Sequence, residues 1–533
     1  MGTRCLRKTY TCQKGYKCST CKMFDDSDGT LKVIAVSNQT MIVDCRDRSL
    51  IKRCLNPRPV KGSDTQYYVP NILFNMYILG LYSAEDIKGE LRAEVAAPLY
   101  DHQIANLSEK VENPFVLNAN KMGYGKTVTG LAYARQHNCK KILIVCPKSV
   151  LYHWKDTVGW YWPERLEETQ ILPKLVKDGP QITIINYDML ISGNRIEMYK
   201  NFVWDCVILD EGHRIKNRKS KRASTVKAIP SQYRVALTGT PILRYPDDLF
   251  SLCEWLSPKI FGKGYWPFAE KFCKINEDFF GKKIVGATDD EQSVTDLHNF
   301  LRTFMIRDDE IQIGQGIRHN VIKFELPPQV RRVYKLVQQQ AVEELSGMMT
   351  LQNAMSKTIR CRQLTSHPGQ FDDSFVKLHT KFLWIKDLLE DNPDIKIVVF
   401  SCFSTSIKAL QQFIGSDKCR TYTGDLSDNM REKHKKQFIE DKDIRVLAGT
   451  IGAMAESVDG LQDVSHIAVF LDRDWSPEIN KQAEGRLVRD RQQYVVECYL
   501  LEYEDTIDQY VGRVNLNKAE DVRRVLNGES ISV

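Results

Sequence analysis

The chain has 533 residues, 42% hydrophobic and 27% charged, with 75 basic against 68 acidic side chains and a net charge of +7. That length exceeds what one core serves and predicts three or four domains in an ordinary folded protein. The mildly basic balance permits a nucleic-acid partner without requiring one. No apolar run is long enough for a bilayer, since the best, Val69 to Tyr82, is broken by Asn71 and Asn75. The N-terminus carries no secretory apolar region, and Leu6 stands where a myristoylation signal after Gly2 has Ser or Thr. The 15 cysteines therefore read mostly as reduced and buried, in a soluble intracellular protein of the cytoplasm or nucleus. Cys146, Cys206 and Cys402 fit this, lying in apolar strand-like runs.

Residues 1–90 predict a small Cys-rich, β-rich domain. Lys32 to Val36 and Thr40 to Val43 favour strands, and Asn71 to Leu81 favours a short helix. Cys18 and Cys21 form a CxxC, a spacing at which two thiolates share one zinc ion. Cys5 with Cys12, or Cys45 with Cys54, would have to complete the tetrahedron, and neither pair is tightly spaced. The alternative is scattered buried cysteines with no metal.

Residues 91–250 predict a nucleotide-binding α/β lobe. Gln103 precedes a phosphate-loop pattern, where its paired donor and acceptor can read an adenine edge. Gly123-Tyr124-Gly125-Lys126-Thr127 then provides close backbone approach, a lysine for the β- and γ-phosphates and a hydroxyl for magnesium. A helix from Val128 to Gln136 would point its N-terminus at the phosphates. Asn120 stands where a strict phosphate loop has Gly, and a plain Gly-rich turn is the bland alternative. Apolar runs follow at Lys141–Cys146, Ile182–Asn186, Val207–Leu209 and Arg234–Leu237, each ending in polar residues, as strands of a parallel sheet do at a binding rim. The third feeds into Asp210 and Glu211. Asp210 suits a magnesium ion bridging phosphates and Glu211 an attacking water, the alternative being a solvated acidic turn.

Met122–Thr127, Asp210–Asn217 and Leu237–Pro241 resemble motifs I, II and III of superfamily-two helicases, in wording close to the Swi/Snf-type, chromatin-remodeller-like ATPases. Four residues around these motifs depart from that family: Lys121 replaces an acid, Leu243-Arg244 replaces a Gln-Asn pair, and Asp308 replaces a second Arg after Arg307. Residues 251–375 are mostly helical in pattern. There His298–Arg307, Leu326–Pro328 and Arg360–Pro368 also match family wording. The resemblance implies helical protrusions framing a DNA cleft; a helical linker is the plainer reading.

Residues 376–533 predict a second parallel-sheet lobe, with strand runs at Ile395–Ser401, Tyr422–Asp425, Arg445–Gly449 and His466–Asp472. Gln482, Gly485, Arg486 and Arg489 would share one helix face, and two fixed guanidiniums there can stabilise charge on a departing γ-phosphoryl group. The stretch, with Gln492, resembles motif VI. Motif V departs, with Ala455-Glu456-Ser457 in place of Ala-Gly-Gly. A helix from Thr506 to Leu526 closes the chain.

The resemblance covers residues 92 to 525. It implies two RecA-like lobes with helical insertions between them and a small β-rich N-terminal domain. It also implies ATP and magnesium held between the lobes and movement along double-stranded DNA. Lys126, Thr127 and Asp210 would hold phosphate and metal, Glu211 the water, and Arg486 and Arg489 would complete the site on closure. DNA phosphates would meet Lys148, Ser149 and the basic run Arg214 to Arg222, although a solvated loop accounts for that run equally well. The rivals are a strand-separating or branch-remodelling helicase, an enzyme that strips proteins from DNA, and a catalytically inactive DNA-binding scaffold.

Overall fold

The computed structural model describes residues 31–83, 87–121, 124–171, 181–192, 195–278, 281–308, 316–345, 351–489 and 492–527. The chain divides into two compact units, one of residues 1–309 with 520–533 and one of residues 310–519.

The first unit opens with strands β1 (Leu31–Val36), β2 (Thr40–Cys45), β3 (Arg58–Pro59) and β4 (Gln66–Pro70) in an antiparallel sheet of order β1-β2-β4-β3. Burial alternates along β2, so one face of the sheet is dry and the other wet. The expected helix is shorter than its apolar run and spans Leu73–Ile78. Gly80, at φ +69, turns the chain out of it. Phe74 meets the rings of Phe272 and Phe300 edge-on at 5.4 and 5.2 Å, which joins this small sheet to the apolar core of the unit. Arg53 adds a two-pronged pair with the buried Asp296, at 3.0 and 2.7 Å. Cys45 and Cys54 are core residues, and burial pushes the Cys54 thiol up to about 12. They therefore make poor partners for Cys18 and Cys21, which lie outside the described residues.

Then come β5 (Phe115–Asn118), β6 (Lys141–Cys146), β7 (Thr169–Ile171), β8 (Gln181–Asn186), β9 (Trp204–Asp210) and β10 (Ser231–Leu237). A hairpin, β11 (Cys273–Asp278) and β12 (Gly281–Ala287), stands apart, and β13 (Met305–Ile306) returns to the sheet. The order is β13-β5-β10-β9-β6-β8-β7, all parallel. Strand β8 is buried along its whole length and β6 nearly so, as strands covered on both faces must be. Leu237 pairs in register with both Asn118 and Asp210, so β5, β10 and β9 end level. The binding rim lies there.

The middle region holds the expected helices, among them Asp248–Leu256, Tyr265–Phe272 and Glu291–Leu301. It is not helical throughout. The β11–β12 hairpin interrupts it, and strand β14 (Ile317–Phe324) belongs to the second sheet. Residues near the chain's end pack on the first unit: Asp521 accepts the Ala287 N–H at 3.1 Å, and Arg524 pairs with Glu291 at 2.7 Å.

In the second unit, β14 joins β15 (Ile397–Ser401), β16 (Cys419–Tyr422), β17 (Val446–Thr450), β18 (Ile467–Phe470) and β19 (Val496–Tyr503). The order is β14-β19-β18-β15-β17-β16, again all parallel. Beyond β18, Asp472 accepts the Cys402 N–H at 2.8 Å and the hydroxyls of Ser366 and Ser401. The fully buried Lys381 pairs with Asp508 at 2.7 Å and donates to the Leu471 carbonyl at 2.6 Å, so its charge is not left alone in the interior. The C-terminal helix spans Ile507–Asn527. Among the described residues no helix is long and apolar enough to cross a membrane.

Candidate active site

At the level rim of β5, β10 and β9 the first unit gathers most of the residues the sequence singles out. Gly125 has φ +67, the left-handed region that a glycine enters without penalty. It turns the chain from the phosphate loop into the helix Lys126–Gln136. That helix begins two residues earlier than its apolar periodicity predicts, because the lysine and threonine of the loop form its first turn. Lys126 Nζ donates to the Lys121 carbonyl at 2.9 Å, and Thr127 is half-buried beside it. Gly123 lies outside the described residues. Gln103 sits buried against this turn: its Oε1 accepts the Tyr100 N–H at 3.1 Å and its Nε2 donates to the Tyr124 carbonyl at 3.2 Å. In this arrangement Gln103 braces the phosphate loop.

Asp210 ends β9. Its Oδ2 accepts the Trp154 indole N–H at 2.9 Å, its Oδ1 accepts the Glu211 N–H at 3.0 Å, and its backbone carbonyl accepts the Tyr187 hydroxyl at 2.8 Å. Loss of hydration pushes the Asp210 carboxyl up to about 6, with the Glu211 charge adding; the Trp154 hydrogen bond and the Lys126 charge oppose the rise. Lys126 and Asp210 thus feel each other across the rim. Each Asp210 oxygen keeps a lone pair. A carboxylate oxygen of this kind, like the hydroxyl of Thr127, is the hard donor that suits magnesium.

Glu211 has φ +50, a left-handed conformation uncommon for a residue with a side chain. Strain of this kind clusters at functional positions. It places Glu211 Oε2 3.2 Å from His213 Nδ1, which lies 3.0 Å from Thr238 Oγ1. The carboxylate at the end of β9 is thereby linked to the turn after β10.

In the second unit the motif VI residues are not on one helix face. The helix Pro477–Glu484 ends at Gly485, and Arg486 to Arg489 continue in tight turns. Arg486 is buried, donating to the carbonyls of Ala455 and Val458, the latter at 3.3 Å. Arg489 pairs with the exposed Asp459, which also lies 3.7 Å from Arg486. Gln482 is half-buried on the last helical turn, and Gln492 is buried, donating to the Ser465 carbonyl at 2.9 Å.

The basic run after motif II lines a groove of about 440 Å³ with Ile191, His213, Arg214, Lys216, Asn217 and Lys221 among its walls. Arg222 pairs with Asp188 at 2.7 Å, and Arg218 lies over the Tyr265 ring at 4.2 Å.

The sequence reading assigned no role to Trp154, Tyr187, His213 or Asp459. Trp154 lies near the rim because β6 neighbours β9, with Val145 in register with Leu209, and the helix Leu151–Tyr161 follows β6. A tryptophan in the first turn of the helix that follows a buried strand is the signal that could have found it.

Two parallel-sheet units, the first with a phosphate loop and paired acids at one rim, define a two-lobed core of helicase superfamily two. The chain belongs to the SNF2-related domain family, whose profile matches residues 104–370; the helicase conserved C-terminal domain matches residues 380–491. It is 24% identical over 458 residues to an ISWI chromatin-remodeling complex ATPase of Arabidopsis thaliana, covering 78% of this chain and 41% of that one. It is 27% identical over 428 residues to a DNA annealing helicase and endonuclease of Homo sapiens, covering 77% and 38%. The chain thus spans about two-fifths of the length of these curated relatives. A solved Sulfolobus solfataricus SWI2/SNF2 ATPase core in complex with double-stranded DNA aligns over 85% of this chain and 100% of that one, at 22% identity and a TM-score of 0.37.

Proposed function

We propose that this chain is a DNA-dependent ATPase that moves along double-stranded DNA. The observation that carries the reading is the meeting of Lys126, Asp210 and Glu211 at the rim of adjacent parallel strands in one unit. Lys126 holds the β- and γ-phosphates, with the backbone turn at Gly125 approaching them closely. Thr127 and Asp210 hold the metal, and Gln103 supports the loop and the base. A magnesium ion held there would neutralise phosphate charge. Glu211 orients the attacking water and accepts its proton. Arg486 and Arg489, with Gln482, stabilise charge on the departing γ-phosphoryl group. Such arginines are typically worth about 10³ to 10⁵ in rate. Cycles of closure and release become movement along the duplex. Lys148, Ser149 and the basic groove after motif II take DNA phosphates, a grip with little sequence preference.

A second reading is branch remodelling, favoured by the human relative named as a DNA annealing helicase. The test is ATP hydrolysis with duplex DNA, single-stranded DNA, RNA or no polymer, alongside Glu211→Gln. Duplex-stimulated turnover, lost in the variant, supports the translocase. Preference for single strands or branched substrates supports the second reading, and no hydrolysis with any polymer supports an inactive scaffold.

A further inference from the structure

The second unit brings together three side chains that none of the chemistry above uses. His319 is on β14 and Cys498 on β19, in register on neighbouring parallel strands, so their side chains leave the same face. Glu484, the last residue of the helix Pro477–Glu484, reaches over that face. His319 Nε2 is 3.1 Å from Glu484 Oε1, Cys498 Sγ is 4.0 Å from the same oxygen, and one ligand atom from each residue lies within 4.8 Å of the others.

From this we infer a divalent transition-metal site, of zinc type, formed by His319 Nε2, the Glu484 carboxylate and Cys498 Sγ with water as fourth ligand. An imidazole, a carboxylate and a thiolate are all ligands of tetrahedral zinc. With the thiol deprotonated, the two anionic ligands neutralise the dication. Binding releases that proton, so the metal supplies the drive that burial of Cys498 otherwise opposes. The flanking cations are paired, Arg473 with Glu502 and Lys481 with Glu478 at 3.1 Å. His319 is 44% exposed and Cys498 is buried, which leaves one open side for entry. Three backbone segments distant in sequence would then be clamped at the helix end that leads, two residues on, into Arg486.

The test is cobalt(II) titration of the 533-residue chain without nucleotide, followed by thiolate-to-cobalt charge-transfer absorption and by equilibrium dialysis. This readout does not depend on the ATPase reading. The wild type is expected to bind one more equivalent than Cys498→Ser, with the corresponding part of the absorption lost in that variant. His319→Ala, at an exposed position, is expected to lose the same equivalent, and zinc is expected to displace the cobalt. Ser replacements at Cys5, Cys12, Cys18 and Cys21 serve as a background in which these N-terminal thiols are silent. Equal cobalt uptake and absorption by wild type and His319→Ala in that background, with unchanged circular dichroism, would overturn the inference.

Discussion

Trp154→Phe isolates one contact at the nucleotide rim. It keeps an aromatic ring in a fully buried position and removes the one N–H that reaches Asp210 Oδ2 at 2.9 Å. A hydrogen bond to a charged partner is worth about 1.5–3 kcal/mol, and a decade of affinity is about 1.4 kcal/mol. If that energy is spent orienting the carboxylate and keeping it ionised, half-saturation by magnesium should rise about 10- to 100-fold. The same change weakens packing, so stability alone could lower activity. Val158→Ala separates the two effects: it opens a cavity on the same buried helix face without touching Asp210, and truncations of this kind cost on the order of 1–3 kcal/mol of fold stability. The assay is magnesium dependence of fluorescent-nucleotide binding and of ATP turnover, well below the unfolding temperature of either variant. Trp154→Phe should shift the magnesium curve and Val158→Ala should not. Wild-type magnesium dependence in a folded Trp154→Phe protein would refute the orienting role and leave Trp154 as packing.

Three further outcomes follow from local geometry. Gly125→Ala forces a side chain into φ +67 and sets its Cβ 2.2 Å from Gln103 Nε2; left-handed strain of about 1–2 kcal/mol plus loss of the Gln103 brace should weaken ATP binding about tenfold or more, read by nucleotide titration. Asp459→Asn releases Arg489 from an exposed ion pair worth about 0–1 kcal/mol, so polymer-free ATP turnover should rise by at most about fivefold, while a fall would mean that Asp459 positions the arginine. His379 is fully buried, stacked on Phe382 and 2.8 Å from the Ser366 carbonyl, and burial holds it down at about 3 against an ordinary 6.5. The unfolded chain therefore takes up its proton first as pH falls, and this group should cost the second unit about 2–3 kcal/mol by about pH 4.5. Urea unfolding near neutrality and near that pH should show this slope in the wild type and lose it in His379→Gln.

The inner strands β6, β8, β9, β15, β17 and β18 were legible because they are almost wholly enclosed, whereas β5, β7, β13 and β19 were not singled out. Runs such as Ile142–Cys146 and Ile397–Phe400 are apolar at every position, a pattern needed only where both faces are covered. Strand β14 was not legible. It is the edge strand, its burial alternates between partial and exposed, and its partner β19 lies far along the chain, so nothing local separates it from the charged helical segments around it. The β11–β12 hairpin hid for a related reason. Its exposed lysines, Lys274 and Lys282, pair with Asp289 and Glu270 at 2.8 and 2.6 Å, and such a charge pattern reads equally well as a solvated helix face.

At the site, sequence carried the residues whose roles depend on chain neighbours and missed those set by strand order. The phosphate-loop turn, Lys126 and the Asp210–Glu211 pair are contiguous with their supports. Trp154 and His213 act on partners that only the β10-β9-β6 order brings close. The motif VI arginines show the opposite error. A helical-face argument groups Gln482 with Arg489, yet Gly485 was itself the stop signal, since glycine ends helices more readily than it continues them. With the helix ending at Glu484, Arg486 turns inward onto the Ala455 and Val458 carbonyls while Arg489 is half-buried and pairs with the exposed Asp459. The two guanidiniums are thus unequal: Arg486 is fixed by two buried backbone acceptors, whereas Arg489 has one local carbonyl, that of Gly485 at 2.9 Å, and the exposed Asp459. Arg486→Ala should therefore lower both stability and turnover, because its loss leaves those carbonyls without their donor, whereas Arg489→Ala should lower turnover and leave the unfolding midpoint within about 1 kcal/mol of wild type. Matched losses of stability in both variants would show that the surface pair is as firmly held as the buried one, and that the asymmetry created by the helix stop has no energetic content.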